Sequence, residues 1–412
     1  MCLYLQTQMI KRNDYIQQLK PFIDKPLVKV LIGIRRCGKF TVLKMLEEEL
    51  LSVGVQPDQI LFINLESFNY SDLNTATELY QHVKNRLPDG KKCYLLLDEI
   101  QEVQNWEKAI NSFLVDFDVD IYLTGSNSHL LSSELATHLA GRYVEIPVYT
   151  LSFSEFLDFR KYYLPQSSEN AQTLFLNYLR LGGFPVIHTS DYPDDTAYKV
   201  VYDIYSSVIL RDTIQRYKIR DVELLERVVK YSFDNIGNTF SGKNVADYFK
   251  SQQRKVDINT IYNYLYALEG AFILYRVPRY DIKGREILKT QEKFYVGDVA
   301  LLYATMGFKD RLISGILENL VFLELKRRGY QVYVGKLNNK EIDFIAEKKS
   351  EKLYIQIAYK LDSEQTIERE FYSLSQINDH YPKYVITMDE FWKDTIEGVK
   401  HIYISDFLNR KI

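Results

Sequence analysis

Gly33-Ile34-Arg35-Arg36-Cys37-Gly38-Lys39 lies between the apolar run Leu27–Ile32 and the helix-like stretch Val42–Leu50. A glycine, four residues and then Gly-Lys, placed after a strand and before a helix, is the spacing that cradles phosphates. The glycines let backbone N–H groups turn onto phosphate oxygens, and the helix that follows aims its positive end at the same charge. The lysine adds a point charge for the outer phosphates. Residues Gly33, Ile34, Arg35, Arg36, Cys37, Gly38, Lys39, Phe40 and Thr41 are therefore the candidate nucleotide-binding loop. One position departs from the pattern. A hydroxyl after the lysine would ligate magnesium, and this chain carries Phe40 there. Thr41 is next, but one step along a helix turns a side chain by about 100°.

Outward from this loop the chain alternates short apolar runs with longer amphipathic ones. Strands are expected at Leu27–Ile32, Ile60–Leu65, Tyr94–Leu97, Val119–Leu123 and Tyr143–Pro147. Helices are expected at Lys39–Leu50, Asp72–Leu87, Asn105–Phe117 and His129–Leu139. Such alternation predicts a parallel sheet covered by helices, with ligands at the carboxyl ends of its strands. Tyr94-Leu95-Leu96-Leu97 ends in Asp98-Glu99. Asp98 is the candidate to hold a metal ion through water, and Glu99 the candidate to orient and deprotonate an attacking water. In Leu123-Thr124-Gly125-Ser126-Asn127-Ser128, Asn127 is the first choice for a polar group near the outer phosphate and Ser126 the second. Asn127 or Ser128 is equally suited to cap the helix that follows. Arg142, in Ala140-Gly141-Arg142-Tyr143, either projects into a neighbouring subunit's site or sits at the surface near a helix end.

The order of these motifs resembles the prokaryotic AAA-type ATPases that carry a C-terminal domain of unknown function with a restriction-nuclease-like fold. The residues that carry the resemblance are the phosphate loop, Asp98-Glu99-Ile100-Gln101, the Thr-Gly-Ser-Asn-Ser run and Leu139-Ala140-Gly141-Arg142-Tyr143. Leu151-Ser152-Phe153-Ser154-Glu155-Phe156 and Gly182-Gly183-Phe184-Pro185 match as well. The resemblance implies ATP and Mg2+ as ligands, catalytic roles for Glu99, Asn127 and Arg142, and a homo-oligomer in which Arg142 acts in trans. It also implies an α/β fold: a P-loop AAA-type parallel sheet over residues 1–150 and a helical lid over 151–215. A winged-helix-like segment over 216–300 and an α/β nuclease-like domain over 301–412 complete the expected order.

The later segments are read residue by residue. Phe240-Ser241-Gly242-Lys243 begins one helix, Asp257 caps a second over Ile258–Leu268, and Ala271–Val277 with Glu286–Tyr295 forms a hairpin wing. The second helix contains no lysine or arginine, which weakens a DNA reading, although Lys243, Lys250, Arg254, Lys255, Arg276 and Arg279 lie nearby. Arg211-Asp212 is expected to contact phosphate from the lid or to be a surface ion pair. Leu317–Arg328 is expected as an amphipathic helix carrying Glu318 and Glu324, ahead of strands at Val332–Gly335, Ile342–Ala346 and Tyr354–Ala358. Asp343, Gln356 and Lys360, with Glu318, resemble the Asp…Glu-x-Lys constellation of restriction-type nucleases. Gln356 stands where the second acid belongs and Ala358 where the lysine belongs, so the expectation is a fold kept without its catalysis, with Lys360 as a substitute two residues on.

Composition bounds the rest. The chain has 412 residues, 46% apolar content and a net charge of −3, enough for several cores and no global basic field. Its three cysteines, Cys2, Cys37 and Cys93, have no metal-ligand spacing. No apolar run reaches the roughly 18 residues of a membrane span, and no signal-peptide pattern opens the chain, so a cytoplasmic protein is expected. The expected function is ATP binding with slow or conditional hydrolysis coupled to conformational change, assembly or an unnamed protein partner. The alternatives are a nucleotide-switched binding module without hydrolysis and an ATP-regulated DNA nuclease.

Overall fold

Val28–Ile32 forms the strand that feeds the phosphate loop, and all five of its residues are buried. The computed structural model to which it belongs describes residues 10–127, 139, 141–166, 169–390 and 395–409. The chain divides into two units after Tyr149. In the first unit the strands are β1 (Val28–Ile32), β2 (Ile60–Asn64), β3 (Cys93–Asp98), β4 (Val119–Gly125) and β5 (Tyr143–Pro147). They form a five-stranded sheet in the order β2-β3-β4-β1-β5, with every neighbouring pair parallel. The helices between them are α1 (Asn13–Leu19), α2 (Lys39–Ser52), α3 (Ala76–Lys84) and α4 (Trp106–Asp116).

A parallel sheet covered on both faces needs apolar side chains on both, so its strands read as continuous apolar runs. That is why β1 and β3, buried at every position, stand out in the sequence. Helix α3 starts at Ala76 rather than Asp72. Thr75 is extended and its hydroxyl accepts from Glu78 N (3.4 Å), while the Glu78 carboxylate accepts from Thr75 N (2.9 Å). This reciprocal cap fixes the first turn. The helix expected at 129–139 and the capping choice of Ser128 lie outside the described residues, apart from Leu139.

The second unit begins with α5 (Phe153–Tyr163), α6 (Ala171–Leu181) and α7 (Asp194–Ser207). Ser152 and Glu155 form another reciprocal cap, so the Leu-Ser-Phe-Ser-Glu-Phe motif is a helix start. Gly182-Gly183 is held by a buried acid far along the chain. Gly183 N donates to Asp298 Oδ2 (2.9 Å), and a Cβ on Gly182 (φ +63°) would fall 1.8 Å from Asp298 Oδ1. After α7 the chain winds as a π-helix over Val208–Gln215, and the buried Asp212 in it faces Arg216 at 3.9 Å. Arg211-Asp212 is thus not a surface pair.

Three helices follow: α8 (Val222–Asp234), α9 (Gly242–Ser251), after the short strand β6 (Thr239–Phe240), and α10 (Ile258–Gly270). Asp257 caps α10 through Asn259 N and Thr260 N. The hairpin β7 (Leu274–Asp281) and β8 (Glu286–Val296) is antiparallel, as expected. It is not a free-standing wing, because the outer edge of β7 pairs in parallel with β9 (Gln331–Leu337). The remaining elements are α11 (Ala300–Met306), α12 (Ile313–Arg327), β10 (Lys340–Lys348), β11 (Glu351–Ile357), α13 (Glu364–Ser375), β12 (Lys383–Thr387), β13 (Thr395–Ile396), β14 (Val399–Tyr403) and α14 (Ile404–Asn409). One sheet of nine strands runs β13-β14-β12-β11-β10-β9-β7-β8-β6. Helix α12 is buried all round from Gly315 to Leu325 rather than on one face, so its polar residues Glu318, Asn319 and Glu324 need internal partners.

Candidate functional site

The phosphate loop leaves the carboxyl end of β1 with two close approaches that demand glycine. A Cβ on Gly33 would fall 2.0 Å from Val148 O. Gly38, the residue before α2, has φ 104° and ψ 21°, a left-handed conformation. Arg36 also has positive φ (68°), a strained state that marks functional loops. Lys39 is buried, and its Nζ donates to Gly33 O (3.0 Å) and Ile34 O (3.5 Å) and lies 3.7 Å from Glu99 Oε1.

β4 is the neighbour of β1 and delivers Thr124, and β3, one strand further out, delivers both acids. Asp98 ends β3 with Oδ1 accepting from the Thr124 hydroxyl (2.6 Å), and the same hydroxyl accepts from Glu99 N (2.8 Å). Burial raises the Asp98 carboxyl from its ordinary 3.8 to about 6, against the lowering effect of the Thr124 bond. Glu99 takes φ 54°, and Gln101 Nε2 donates to its carboxylate. Ser126 and Asn127 are buried just beyond β4, which lies between β1 and β3, so they share the carboxyl edge with the loop.

Phe40 sits on the first turn of α2, 42% exposed, with its ring edge-on to Phe62 at 5.5 Å. It offers no oxygen to a hard cation. Asp98 does fit one, since Mg2+ is commonly held by one or two carboxylates, water and the substrate's own phosphates. Arg142 immediately precedes β5, at the amino edge of the sheet, where Val28 N donates to Arg142 O (2.9 Å). That is roughly 16 Å, a strand's length, from the phosphate loop of its own chain. Its side chain is exposed and reaches Asn111 Oδ1 (3.3 Å).

Two contributors were missed in the sequence, Thr124 and Arg12. Thr124 lies inside a quoted motif in which Asn127 is the first choice. Arg35, named within the loop, is buried and paired with Glu66 beyond β2, a partner the sequence does not show. Arg12, buried ahead of α1, donates to Cys37 O (2.8 Å) and Tyr149 O (2.9 Å), tying the loop to the strand end. No local pattern marks such distant pairs.

The second unit gathers a different cluster. Lys293 Nζ, 2% exposed, lies 3.0 Å from Glu318 Oε2, 2.9 Å from Glu341 Oε1 and 3.5 Å from Asp343 Oδ1. Tyr295 donates to Glu318 Oε2 (2.8 Å). A register shift in β10 between Ile342 and Ile345 inserts Asp343, and Ile357 N donates to its Oδ2 (2.7 Å). Gln356 Oε1 accepts from Asp343 N (3.3 Å). Burial raises the Asp343 and Glu318 carboxyls, and the three carboxylates hold the Lys293 ammonium charged. Glu318, Asp343 and Gln356 are therefore brought together, but Lys360 is not. It lies beyond the end of β11, exposed, with Nζ 5.5 Å from the Tyr359 ring. The cation of the cluster is Lys293, whose signal was the alternation Lys293-Phe294-Tyr295 that puts lysine and tyrosine on one strand face. Among the described residues no group of three His, Cys, Asp or Glu side chains is arranged to hold a metal ion, and no helix is long and apolar enough to cross a membrane.

The fold and the first cluster define a nucleotide-binding P-loop protein. Residues 25–157 match the AAA domain family, and residues 172–312 match a domain of unknown function. An uncharacterised protein of Haemophilus influenzae is 39% identical over 401 residues, covering 97% of this chain and 98% of that one. An uncharacterised protein of Methanocaldococcus jannaschii is 29% identical over 396 residues, covering 91% and 86%. Among solved structures, a Walker-type ATPase of Pyrococcus abyssi is similar at TM-score 0.51 and 14% identity, covering 73% of this chain and 97% of that one. The chain belongs to one family with the Haemophilus influenzae protein, and it is an AAA-type ATPase by its AAA domain, followed by a domain of unknown function.

Proposed function

We propose that the protein binds ATP with Mg2+ in the Gly33–Thr41 loop and hydrolyses it slowly, coupling occupancy to conformational change or assembly. The observation that carries this is the convergence of Lys39, Asp98, Glu99 and Thr124 at one sheet edge. Lys39 would exchange its long contact to Glu99 for phosphate oxygens, which releases the Glu99 carboxylate to orient water. Mg2+ would supply charge neutralisation between the outer phosphates, with Asp98 as its protein anchor. Thr124 positions Asp98 and the Glu99 backbone together through one hydroxyl. Asn127 is assigned the outer phosphate or the attacking water. Arg142, turned away from its own loop, is assigned to a neighbouring subunit's site in a homo-oligomer, where it would stabilise charge in the transition state.

Phe40 favours a second reading, a switch that binds without turning over, because it removes one expected metal ligand. The nuclease alternative is the weakest. Its acids are already engaged by Lys293 at short range, which suits an ion-paired core better than a centre open to DNA. The test is magnesium-dependent ATP hydrolysis beside a direct ATP titration, on the native chain and on Lys39→Ala and Glu99→Gln. The proposal expects turnover that both variants lose and binding that Glu99→Gln keeps. Native binding without turnover would replace it with the switch. Mixing Lys39→Ala with Arg142→Ala subunits should restore part of the activity if Arg142 acts in trans.

A further inference from the structure

Helices α8 and α9 and the turn at 310–312 enclose a half-open cleft of about 590 Å3. This volume is ordinary for a small-molecule site. Its lining combines three cations with aromatic rings: Arg227, Lys230, Arg311, Tyr231, Tyr248 and Phe249. Against the three positive charges the wall carries a single acid, Asp234. Asp234 is bonded to Lys309 (2.6 Å) and Arg311 (3.0 Å), so it is already neutralised. Arg227 pairs with Glu223 (2.8 Å) at the rim. Lys230 is exposed and has no hydrogen-bond or ion-pair partner among the described residues. The Tyr231 and Tyr248 rings lie 4.9 Å apart at 51°, and Tyr248 is exposed.

Cations beside an exposed aromatic face fit one ligand chemistry: phosphate attached to a planar base. The face of α10 does not offer it. That helix has no lysine or arginine. We infer that the α8–α9 cleft binds nucleotide units, with Arg227, Lys230 and Arg311 on phosphate and Tyr248 stacked on the base. A half-open cleft lets a chain enter and leave, so single-stranded nucleic acid is the favoured source and free mononucleotide the other. The inference is independent of the phosphate loop in the first unit.

The experiment is fluorescence anisotropy of labelled single-stranded DNA and RNA of roughly 12 nucleotides. It uses full-length protein carrying Lys39→Ala, so that the phosphate loop does not contribute. Binding at about 0.1 M salt is expected, with a salt slope that Arg227→Ala or Lys230→Ala each lowers by about one. Tyr248→Ala should weaken binding on the order of tenfold, and Tyr248→Phe should restore it. Lys255→Ala, away from the cleft, should change nothing. Competition by AMP at equal nucleotide concentration would assign the free nucleotide as the source of the same chemistry. These side chains are exposed or half-exposed, so thermal melting should be unchanged and a loss of binding is read as a loss of contact. No binding, binding indifferent to all three substitutions, or preference for duplex DNA or an acidic phosphopeptide would each overturn the inference.

Discussion

Lys39 in the first unit and Lys293 in the second are both buried beside acids, and the two arrangements differ in what else can take the lysine's charge. In the first unit Lys39 makes two bonds to backbone carbonyls and one long ion pair of 3.7 Å with Glu99. In the second, Lys293 is closed in by Glu318 and Glu341 at 3.0 and 2.9 Å, with Asp343 at 3.5 Å. Bonds to neutral carbonyls and a 3.7 Å contact to an acid are ones that an incoming phosphate can replace. A lysine that three carboxylates already neutralise has nothing left to offer. Its removal also strands the acids, because an uncompensated buried charge is far more costly than the pair was worth.

The comparison breaks most sharply at Lys293. Lys293→Met is expected to destabilise the second unit by about 3–5 kcal/mol. The deficit should shrink as pH falls. Without the ammonium, Glu318 and Asp343 bind protons more tightly folded than unfolded, so folded stability rises as they protonate. Thermal unfolding at pH 5 and pH 8 reads this directly. A deficit that does not change with pH would mean that lost packing, not stranded charge, is the cause.

Lys39→Ala should do the opposite. Two neutral carbonyls accept its hydrogen bonds, so folding should tolerate the loss, while nucleotide turnover should fall on the order of 100-fold. Turnover and melting measured on the same samples separate the two lysines. If Lys39→Ala melted as early as Lys293→Met, the distinction between exchangeable and closed clusters would fail.

Asp98 sharpens the comparison from the acid side. Its carboxyl is raised to about 6 by burial. Between about pH 4 and 6 the folded chain therefore holds a proton that the unfolded chain has lost, and stability from this group falls as pH rises through that window. At neutral pH a buried charge remains that costs folding. Asp98→Asn keeps the shape and the Thr124 contact and removes the charge. It should stabilise the protein by about 1–3 kcal/mol at pH 7.5 and by little at pH 4, while abolishing metal-dependent turnover. An equal effect at both pH values would mean that the charge is not the source.

What the sequence disclosed follows the range of the interactions. The parallel sheet was legible because burial on both faces forces continuous apolar runs such as Val28–Ile32, and the loop was legible because glycine geometry is local. Ser152 and Glu155 show the same locality as a helix cap. The misses that bear on the two clusters and the glycine turn are pairings over long separations: Arg12 with Cys37 and Tyr149, Gly182-Gly183 with Asp298, and Lys293 with Glu318 and Glu341. Lys360 was chosen for the second cluster because period-two spacing was extended past the end of β11 at Ile357. Lys293 comes from another strand of the same sheet, and no spacing rule within one segment could supply it. The hairpin of β7 and β8 was legible, but its further neighbour was not, since only the pairing of β7 with β9, Arg279 opposite Val334, reveals it.

Phe40 gives the smallest expected effect and the finest discrimination. Its ring is 42% exposed and touches Phe62 edge-on at 5.5 Å, with the Lys44 ammonium 3.8 Å from the Phe62 ring. Phe40→Ser loses that aromatic contact, about 0.5–1.5 kcal/mol of stability. It gains a hydroxyl on the first turn of α2, where the phosphate-loop pattern places a metal ligand. If hydrolysis is slow because one ligand is missing, turnover should rise roughly tenfold, as one added charge-dipole contact of about 1.4 kcal/mol would give. ATP affinity in the absence of Mg2+ should not change, because Lys39 and the loop amides are untouched. A rise in turnover with unchanged metal-free binding would place the defect at the metal. Unchanged turnover would mean that Asp98, Thr124 and water already suffice, and that the limit lies in a later step such as assembly around Arg142.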